Sequence, residues 1–440
     1  LHQSCQEKFA RKGVFDKCHF TFRGFNFKIK DDYSIITPYD ELMEYLEKYP
    51  SPYPQVWIVK PNDGFSGHSI RLAVLNEDDL STPEKFRQWL RENSKKRPHT
   101  KHHKEWTMQK YNFHPILYKG HKFDIRVWAV ITSVDPLRIW MLEKMFPKIA
   151  SVPYTTDPAN FTSECVHWKI PSGENCPADQ FVKPYPKSTL SKHWPPYLTS
   201  FDGEPFEMEW QREIMPQIAG QMVISVMLAL DKPLSIDSFI KGKKKEYKRF
   251  LHLSPDFTLD GNGKVWMIEM NTNGFMIGDR YSKYIEAQDD TVNELRLVGA
   301  DGYKKQKEYS KDMRDVVNAF CMRFGHDICE ASGRQMLREL MNEEHHANGW
   351  RRIFPHSSFT TMTHNGPHYP VKKKNSVHKE ELPEFRHEGL SNNEVYQHFC
   401  PHSPGRLNEL QWQFLEARKK IIQDLKLTNF TISEDTPLTV

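Results

Sequence analysis

Apolar positions recur along this chain with two different periods, and each change of period marks an element. In TPYDELMEYLEKY (37–49) the spacing is helical, and Thr37 followed by Pro38 predicts an N-cap and a first turn. VWIVKP (56–61) is a short apolar run closed by a proline, the signature of a buried strand. NSKKRPHTKHHK (93–104) has almost no apolar content and predicts a surface loop. EWTMQKY (105–111) and KFDIRVWAVIT (122–132) are strand-like, the second alternating before it turns continuously apolar. A stretch rich in Pro, Ser and Thr comes next, from about 150 to 205. EWQREIMPQIAGQMVISVMLAL (209–230) returns to helical spacing, with Pro216 near its start or at a kink. FLHLSPDFTLD (250–260) and VWMIEMN (265–271) are two strands joined by the turn sequence DGNGK. Beyond 290 the pattern is helical and polar, a loop-like stretch with PVKKKNSVHKEELPE (370–384) intervenes, and a closing helix is expected around 405–425. No internal repeat is visible. Strands mixed with helices predict an α/β or α+β enzyme.

Composition narrows the class. With 440 residues the chain has room for two or three domains, or for one large domain with elaborations. Apolar residues make up 38%, charged residues 27% and aromatics 12%, which excludes wholesale disorder. A net charge of +4 is small for this size, so only its clustering matters. No run approaches the roughly 18 apolar residues that span a bilayer, so no membrane partner is expected. The seven cysteines, odd in number and free of any CxxC pair, predict a reduced cytosolic thiol set without a zinc site. The chain begins with Leu1, not Met, and is expected to be a fragment or processed product lacking an N-terminal part.

Three groups of residues carry candidate chemistry. The hairpin of the last two strands brings Asp256 near Glu269 and Asn271, and hard oxygen ligands of this kind suit Mg²⁺. The plainer alternative is that Asp256 and Asn271 cap turns while Glu269 forms a surface ion pair. Lys60 ends an apolar strand ahead of NDGFSG, a small-residue loop able to fold over phosphates, though it is neither a P-loop nor a dinucleotide fingerprint. Lys122, Asp124 and Arg126 alternate along one strand and so project to one face. Two cations around one carboxylate call for an anion, unless they form a solvent-facing ladder of ion pairs.

WIVKP, QKY, KFDIRVWAVIT and DFTLDGNGKVWMIEMNTN, in this order and spacing over roughly residues 35–280, resemble the tubulin tyrosine ligase-like family of ATP-grasp amino acid ligases. The resemblance implies an ATP-grasp fold, with antiparallel sheets flanked by helices and here a helical C-terminal extension. It implies a partial N-terminal segment (1–50), a central subdomain (51–120), a C-terminal subdomain with the catalytic strands (121–290) and the extension (291–440). It also implies ATP and Mg²⁺. Lys60 and Lys122 would touch the phosphates, and Gln109, Lys110 and Tyr111 would form the adenine hinge. Asp256, Glu269 and Asn271 would hold Mg²⁺, and Asp124 and Arg126 would face the reacting groups. Departures fall in the substrate half: FSGHSI puts His68 and Ser69 where the family has a basic residue between glycines, and VHWKI keeps only His167 of a His-Leu-Thr-Asn motif. Lys148 stands nearest to the family's arginine ahead of that motif.

The implied reaction joins an amino acid to a protein carboxylate through an acylphosphate, with tubulin the leading acceptor. An ATP-grasp ligase acting on a non-tubulin protein or a small molecule, and a catalytically silent module that binds acidic tails, are the alternatives. Basic runs at 95–104, 241–249 and 372–374 would attract an acidic tail such as tubulin's. No aromatic-basic nucleic-acid module accompanies them. The implied setting is cytoplasmic, on microtubules or cilia.

Overall fold

The computed structural model describes residues 20–62, 70–94, 104–157, 161–167, 198–206, 213–230, 250–272, 309–324, 331–355 and 405–427, apart from positions 33, 135, 162 and 348, together with 176 and 297. It is a mixed α and β molecule built on antiparallel sheets flanked by helices.

The first sheet has five strands in the order β2-β1-β5-β3-β4. These are β1 (Gly24–Ile29), β2 (Ile35–Ile36), β3 (Gln55–Pro61), β4 (Arg71–Leu75) and β5 (Glu105–Lys110). Helix α1 (Tyr39–Lys48) precedes β3, and α2 (Pro83–Asn93) comes after β4. The sheet takes β1, β2 and α1 from before residue 51, so that segment shares one core with β3, β4, β5 and α2. Alternation along the strands puts Phe25, Phe27, Trp57, Val59, Trp106 and Met108 on one face, where Leu42 and Leu46 of α1 and Phe86, Trp89 and Leu90 of α2 cover them. Each such fully buried side chain contributes on the order of 2–3 kcal/mol. Helix α1 starts one turn position later than expected: Pro38, not Thr37, is the N-cap, with no side-chain cap, and its carbonyl accepts from Leu42 N at 2.9 Å.

The second sheet is built around β7 (His121–Val134), a fourteen-residue strand. Its neighbours are β6 (Leu117–Tyr118), β8 (Leu137–Ile149) and β10 (Leu251–Leu259); β9 (Leu198–Thr199) extends it beyond β6, β11 (Val265–Asn271) beyond β10, and β12 (Trp350–Phe354) pairs with β8. A single turn, α3 (Glu164–His167), and the helix α4 (Met215–Leu230) lie between β8 and β10 in the chain. Pro216 falls in the first turn of α4, where its missing N–H costs nothing. Phe123, Ile125, Val127, Ala129 and Ile131 of β7 face Met215, Ile218, Met222 and Val223 of α4 in the largest core. Sequence pattern does not single out β1, β4, β8 or β12. In β8 the apolar run is broken by Glu143, Lys144 and Pro147, and only pairing with β7 and β12 makes it a strand.

The C-terminal extension contributes α5 (Tyr309–Phe324), α6 (Ala331–His345) and α7 (Gly405–Asp424), packed together through Val317, Phe320, Leu337, Leu340, Leu410 and Phe414. Among the described residues no helix is long and apolar enough to cross a membrane. The expected set of free thiols is corrected: Cys165 and Cys176 form a disulfide, with Cα atoms 5.6 Å apart, and Cys321 is disulfide-bonded as well. Cys165 and Cys176 lie eleven residues apart without a CxxC motif, so no local pattern announces the pair.

Candidate functional site

The turn between β10 and β11 fixes the first part of the site. The Asp260 carboxylate accepts from Asn262 N at 2.9 Å, Lys264 N at 3.0 Å and Trp266 Nε1 at 2.7 Å, while Gly263 takes the positive φ of 79° that the turn requires. The hairpin register that results sets Ser254 opposite Asn271 and Asp256 opposite Glu269, with a bulge just after Asp256. On its other edge β10 sets Asp256 opposite Arg126, and across β7 Asp124 stands opposite Lys148 of β8. Four adjacent strands thus bring Lys122, Asp124, Arg126, Lys148, Asp256 and Glu269 to one region of one sheet.

Their pairing is specific. Arg126 grips Asp256 with two bonds of 2.7 Å, from Nε to Oδ1 and from Nη2 to Oδ2, and Lys148 Nζ reaches Oδ2 at 2.5 Å. Burial opposes the charge on Asp256, but Lys148 and Arg126 outweigh it and hold its carboxyl below the usual carboxylate range. Lys122 Nζ meets Asp124 Oδ1 at 2.5 Å, and both side chains are buried. Asn271 donates from Nδ2 to Glu269 Oε1 at 3.0 Å and to the Ser254 carbonyl at 3.3 Å, which keeps its carbonyl oxygen as an acceptor.

The first sheet contributes Lys60 from the end of β3. Its Nζ donates to Gln109 Oε1 at 2.9 Å and lies 3.5 Å from the Ile268 carbonyl of β11, so it bridges the two sheets. Burial lowers the Lys60 pKa and the Glu269 charge partly restores it. Gln109 also donates from Nε2 to Phe22 O at 3.0 Å, and Phe22 stacks on Trp266 at 4.6 Å between ring centres. The backbone amides of the expected hinge are committed: Lys110 N donates to Arg23 O at 2.9 Å and Tyr111 N to Val56 O at 3.2 Å. The Tyr111 hydroxyl meets His167 Nδ1 at 2.6 Å, and burial raises the Tyr111 pKa well above its ordinary value. Burial also lowers His167 to about 4, with Lys122 nearby adding to the effect.

All twelve candidate residues therefore lie within the described part of the chain; eleven are in contacts that link Lys60 to Gln109, Lys122 to Asp124, Arg126 and Lys148 to Asp256, Asn271 to Glu269, and Tyr111 to His167, while the Lys110 side chain donates to Ser51 Oγ at 3.4 Å. His68 and Ser69, residues 168–170 and the basic runs, save Lys104, lie outside the described residues. Sequence reasoning missed Ser254, on the strand that carries Asp256; the buried Ser254 hydroxyl has no hydrogen-bond partner among the described residues. Its signal was present in the alternation: it stands two positions before Asp256 and so shares its face.

Among the described residues no three His, Cys, Asp or Glu side chains gather as a metal cage. Glu269 and Asn271 still offer one carboxylate and one amide oxygen on neighbouring positions of a face, the sparse hard-oxygen set that Mg²⁺ completes with water and phosphate oxygens. Asp256 can join that set only by sharing its oxygens with Arg126 and Lys148.

Comparison with known proteins gives this arrangement a context. Residues 6–276 match the model of the tubulin-tyrosine ligase family. Tubulin glycylase 3B of Tetrahymena thermophila is 25% identical, over 51% of this chain and 16% of its own length. Tubulin polyglutamylase ttll-4 of Caenorhabditis elegans is 26% identical over 60% of this chain and 37% of its own. Tubulin polyglutamylase TTLL13 of Mus musculus is 28% identical over 56% of this chain and 31% of its own. The matched part thus spans well under half the length of each of these relatives.

Proposed function

The chain belongs to the tubulin-tyrosine ligase family, and from that premise we propose that it is an ATP- and Mg²⁺-dependent ligase joining an amino acid to a protein carboxylate, with tubulin the leading acceptor. The observation that carries the reading is the convergence of Lys122, Arg126 and Lys148 with Asp124, Asp256 and Glu269 on adjacent strands, met by Lys60 from the other sheet.

A carboxylate is a poor electrophile, so amide formation needs it activated. The γ-phosphoryl group of ATP passes to a carboxylate oxygen, an amine nitrogen then attacks the acyl carbon, and the C–O bond to phosphate breaks. The products are the amide, ADP and inorganic phosphate. Lys60 and Lys122 offer cations for the phosphates. Arg126 and Lys148, already oriented by Asp256, stabilise negative charge on the transferring phosphoryl group and on the tetrahedral centre without reorganising. Asp124, freed from Lys122 when that lysine turns to phosphate, orients the amine and accepts its proton. Glu269 and Asn271 would hold Mg²⁺, which would supply positive charge beside the phosphates when bound.

Tubulin as acceptor is supported by the names of the relatives, two kinds of tubulin ligase, and implies a place on microtubules. The test is incubation of the protein with ATP, Mg²⁺, microtubules and mixed amino acids, and then mass measurement of the tubulin tails. A ladder of added amino acid masses is expected. ADP release without tubulin modification moves the acceptor elsewhere, and no ATP turnover with any acceptor ends the ligase reading.

A further inference from the structure

His167 is enclosed. Its side chain is 1% exposed, and the rings of Tyr111, Tyr154 and Phe161 stand edge-on to it at 5.4, 5.7 and 4.9 Å between centres. Both ring nitrogens are engaged: Nε2 with the Phe161 carbonyl and Nδ1 with the Tyr111 hydroxyl. A carbonyl only accepts, so Nε2 carries the hydrogen and Nδ1 of the neutral ring accepts from Tyr111. Such a ring has no lone pair for a substrate proton and no proton to spare.

What the ring does join is two segments far apart in sequence. Tyr111 leaves β5 at the hinge, and its amide is bonded to Val56 of β3. Phe161 and His167 belong to a strap that the Val152 N to Cys165 O bond of 3.0 Å ties to the end of β8, and that the Cys165–Cys176 disulfide ties to the chain beyond it. Leu72, Phe161, Val166 and Tyr154, with Val56, Ile58 and Tyr111 against them, form an apolar cluster on the face of the first sheet opposite its helices. Tyr154 donates from its hydroxyl to the Phe113 carbonyl at 2.8 Å, and that hydroxyl is also hydrogen-bonded with Tyr111.

We propose that His167 is a positioning residue, a neutral latch that seats the strap against Tyr111 and so fixes the hinge and the adjoining end of β3 for a bound nucleotide. The proposal rests on the nucleotide reading above but assigns His167 a role away from the reacting atoms. Its low pKa agrees with a ring that stays neutral in use.

The test compares the wild-type chain with Tyr111→Phe, which removes one hydroxyl and keeps the ring, with His167→Asn, and with the double variant. ATP affinity is measured by calorimetry, kcat and KM for ATP in the ligation assay, and amide exchange at Val152 and Val166 by hydrogen–deuterium exchange without nucleotide. Loss of one buried neutral hydrogen bond weakens ATP about three- to tenfold. The fall in kcat/KM then lies in KM, exchange at both amides accelerates, and the loss in the double variant is less than the sum of the two single losses, with the Tyr111–Tyr154 bond as the remainder. Unchanged exchange in Tyr111→Phe overturns the latch. So does a fall in kcat of about 100-fold with ATP affinity intact, the mark of a proton-transferring group. A wild-type chain that binds no ATP removes the ligase reading, while the exchange result still decides the latch.

Discussion

Two clusters of charge lie along the same face of β7, about 20 Å apart at the usual rise of a strand. At one end Arg126 and Lys148 hold Asp256; at the other Arg138 holds Glu343 of α6 with two bonds, Nε to Oε2 at 3.0 Å and Nη2 to Oε1 at 3.1 Å. Between them Trp128 and Val130 pack with Trp140, Leu142 and Trp350. The Glu343 carboxylate also accepts from Trp140 Nε1 at 3.0 Å and Thr132 Oγ1 at 2.8 Å, and both it and Arg138 are 0% exposed. Around Asp256 the cations keep contact with solvent, Arg126 at 12% and Lys148 at 20%. Pairing alone therefore does not mark a site. The Glu343 cluster is closed and docks the C-terminal helices on the sheet; the Asp256 cluster is left with cations that an arriving anion can reach.

The comparison breaks most decisively at Glu343. Glu343→Ala leaves the buried Arg138 only its longer contacts, Nη2 to Glu339 Oε2 at 3.3 Å and Nη1 to Gln411 Oε1 at 3.4 Å, and is expected to cost about 3 kcal/mol, read as a fall in the unfolding midpoint in denaturant; an unchanged midpoint would mean that the helices do not depend on this contact. Glu269→Gln is the opposite experiment. Turnover is expected to fall roughly 100- to 1,000-fold while stability moves by about 1 kcal/mol or less, because Glu269 is exposed and Lys60, which loses the Glu269 charge, keeps its bond to Gln109. Full activity in that variant would contradict the Mg²⁺ assignment.

Acid sharpens the difference from a third side. The unfolded His167 ring protonates near 6.5 but the folded ring only near 4, so between these values the unfolded chain binds the extra proton. Stability then rises with pH across that window, and is lost as pH falls from 6.5 toward 4, by at most about 1.4 kcal/mol per pH unit. His167→Asn should flatten this part of the profile, as denaturant midpoints at each pH would show. The smallest effect is Thr132→Val, which takes one donor from Glu343 and should cost about 1 kcal/mol with kcat unchanged; a change in kcat would imply that the two ends of β7 are coupled.

Much of this could be read directly. The β10–β11 hairpin is legible as an apolar alternation interrupted by DGNGK, since Asp260 closes the turn with its own side chain and glycine supplies the positive φ. The shared face of Lys122, Asp124 and Arg126 comes from the period of a strand. Lys148 could be placed only by resemblance, because β8 shows no alternation and its register comes from β7. The grip of Arg126 and Lys148 on Asp256 was not legible either: it joins residues 130 and 108 positions apart in the chain.

The sequence by itself determined which segments become strands where apolar periodicity is strong, the family to which they belong, and the types of side chain that reach the site. Tertiary structure decided their partners: that Asp256 is clasped by two cations, that His167 is shut away from solvent between Tyr111 and Phe161, and that Arg138 and Glu343 serve docking. Local pattern fixes which way a side chain points from its own strand. Charge pairing and burial depend on which distant strand lies alongside, and that is settled only when the sheets and helices pack.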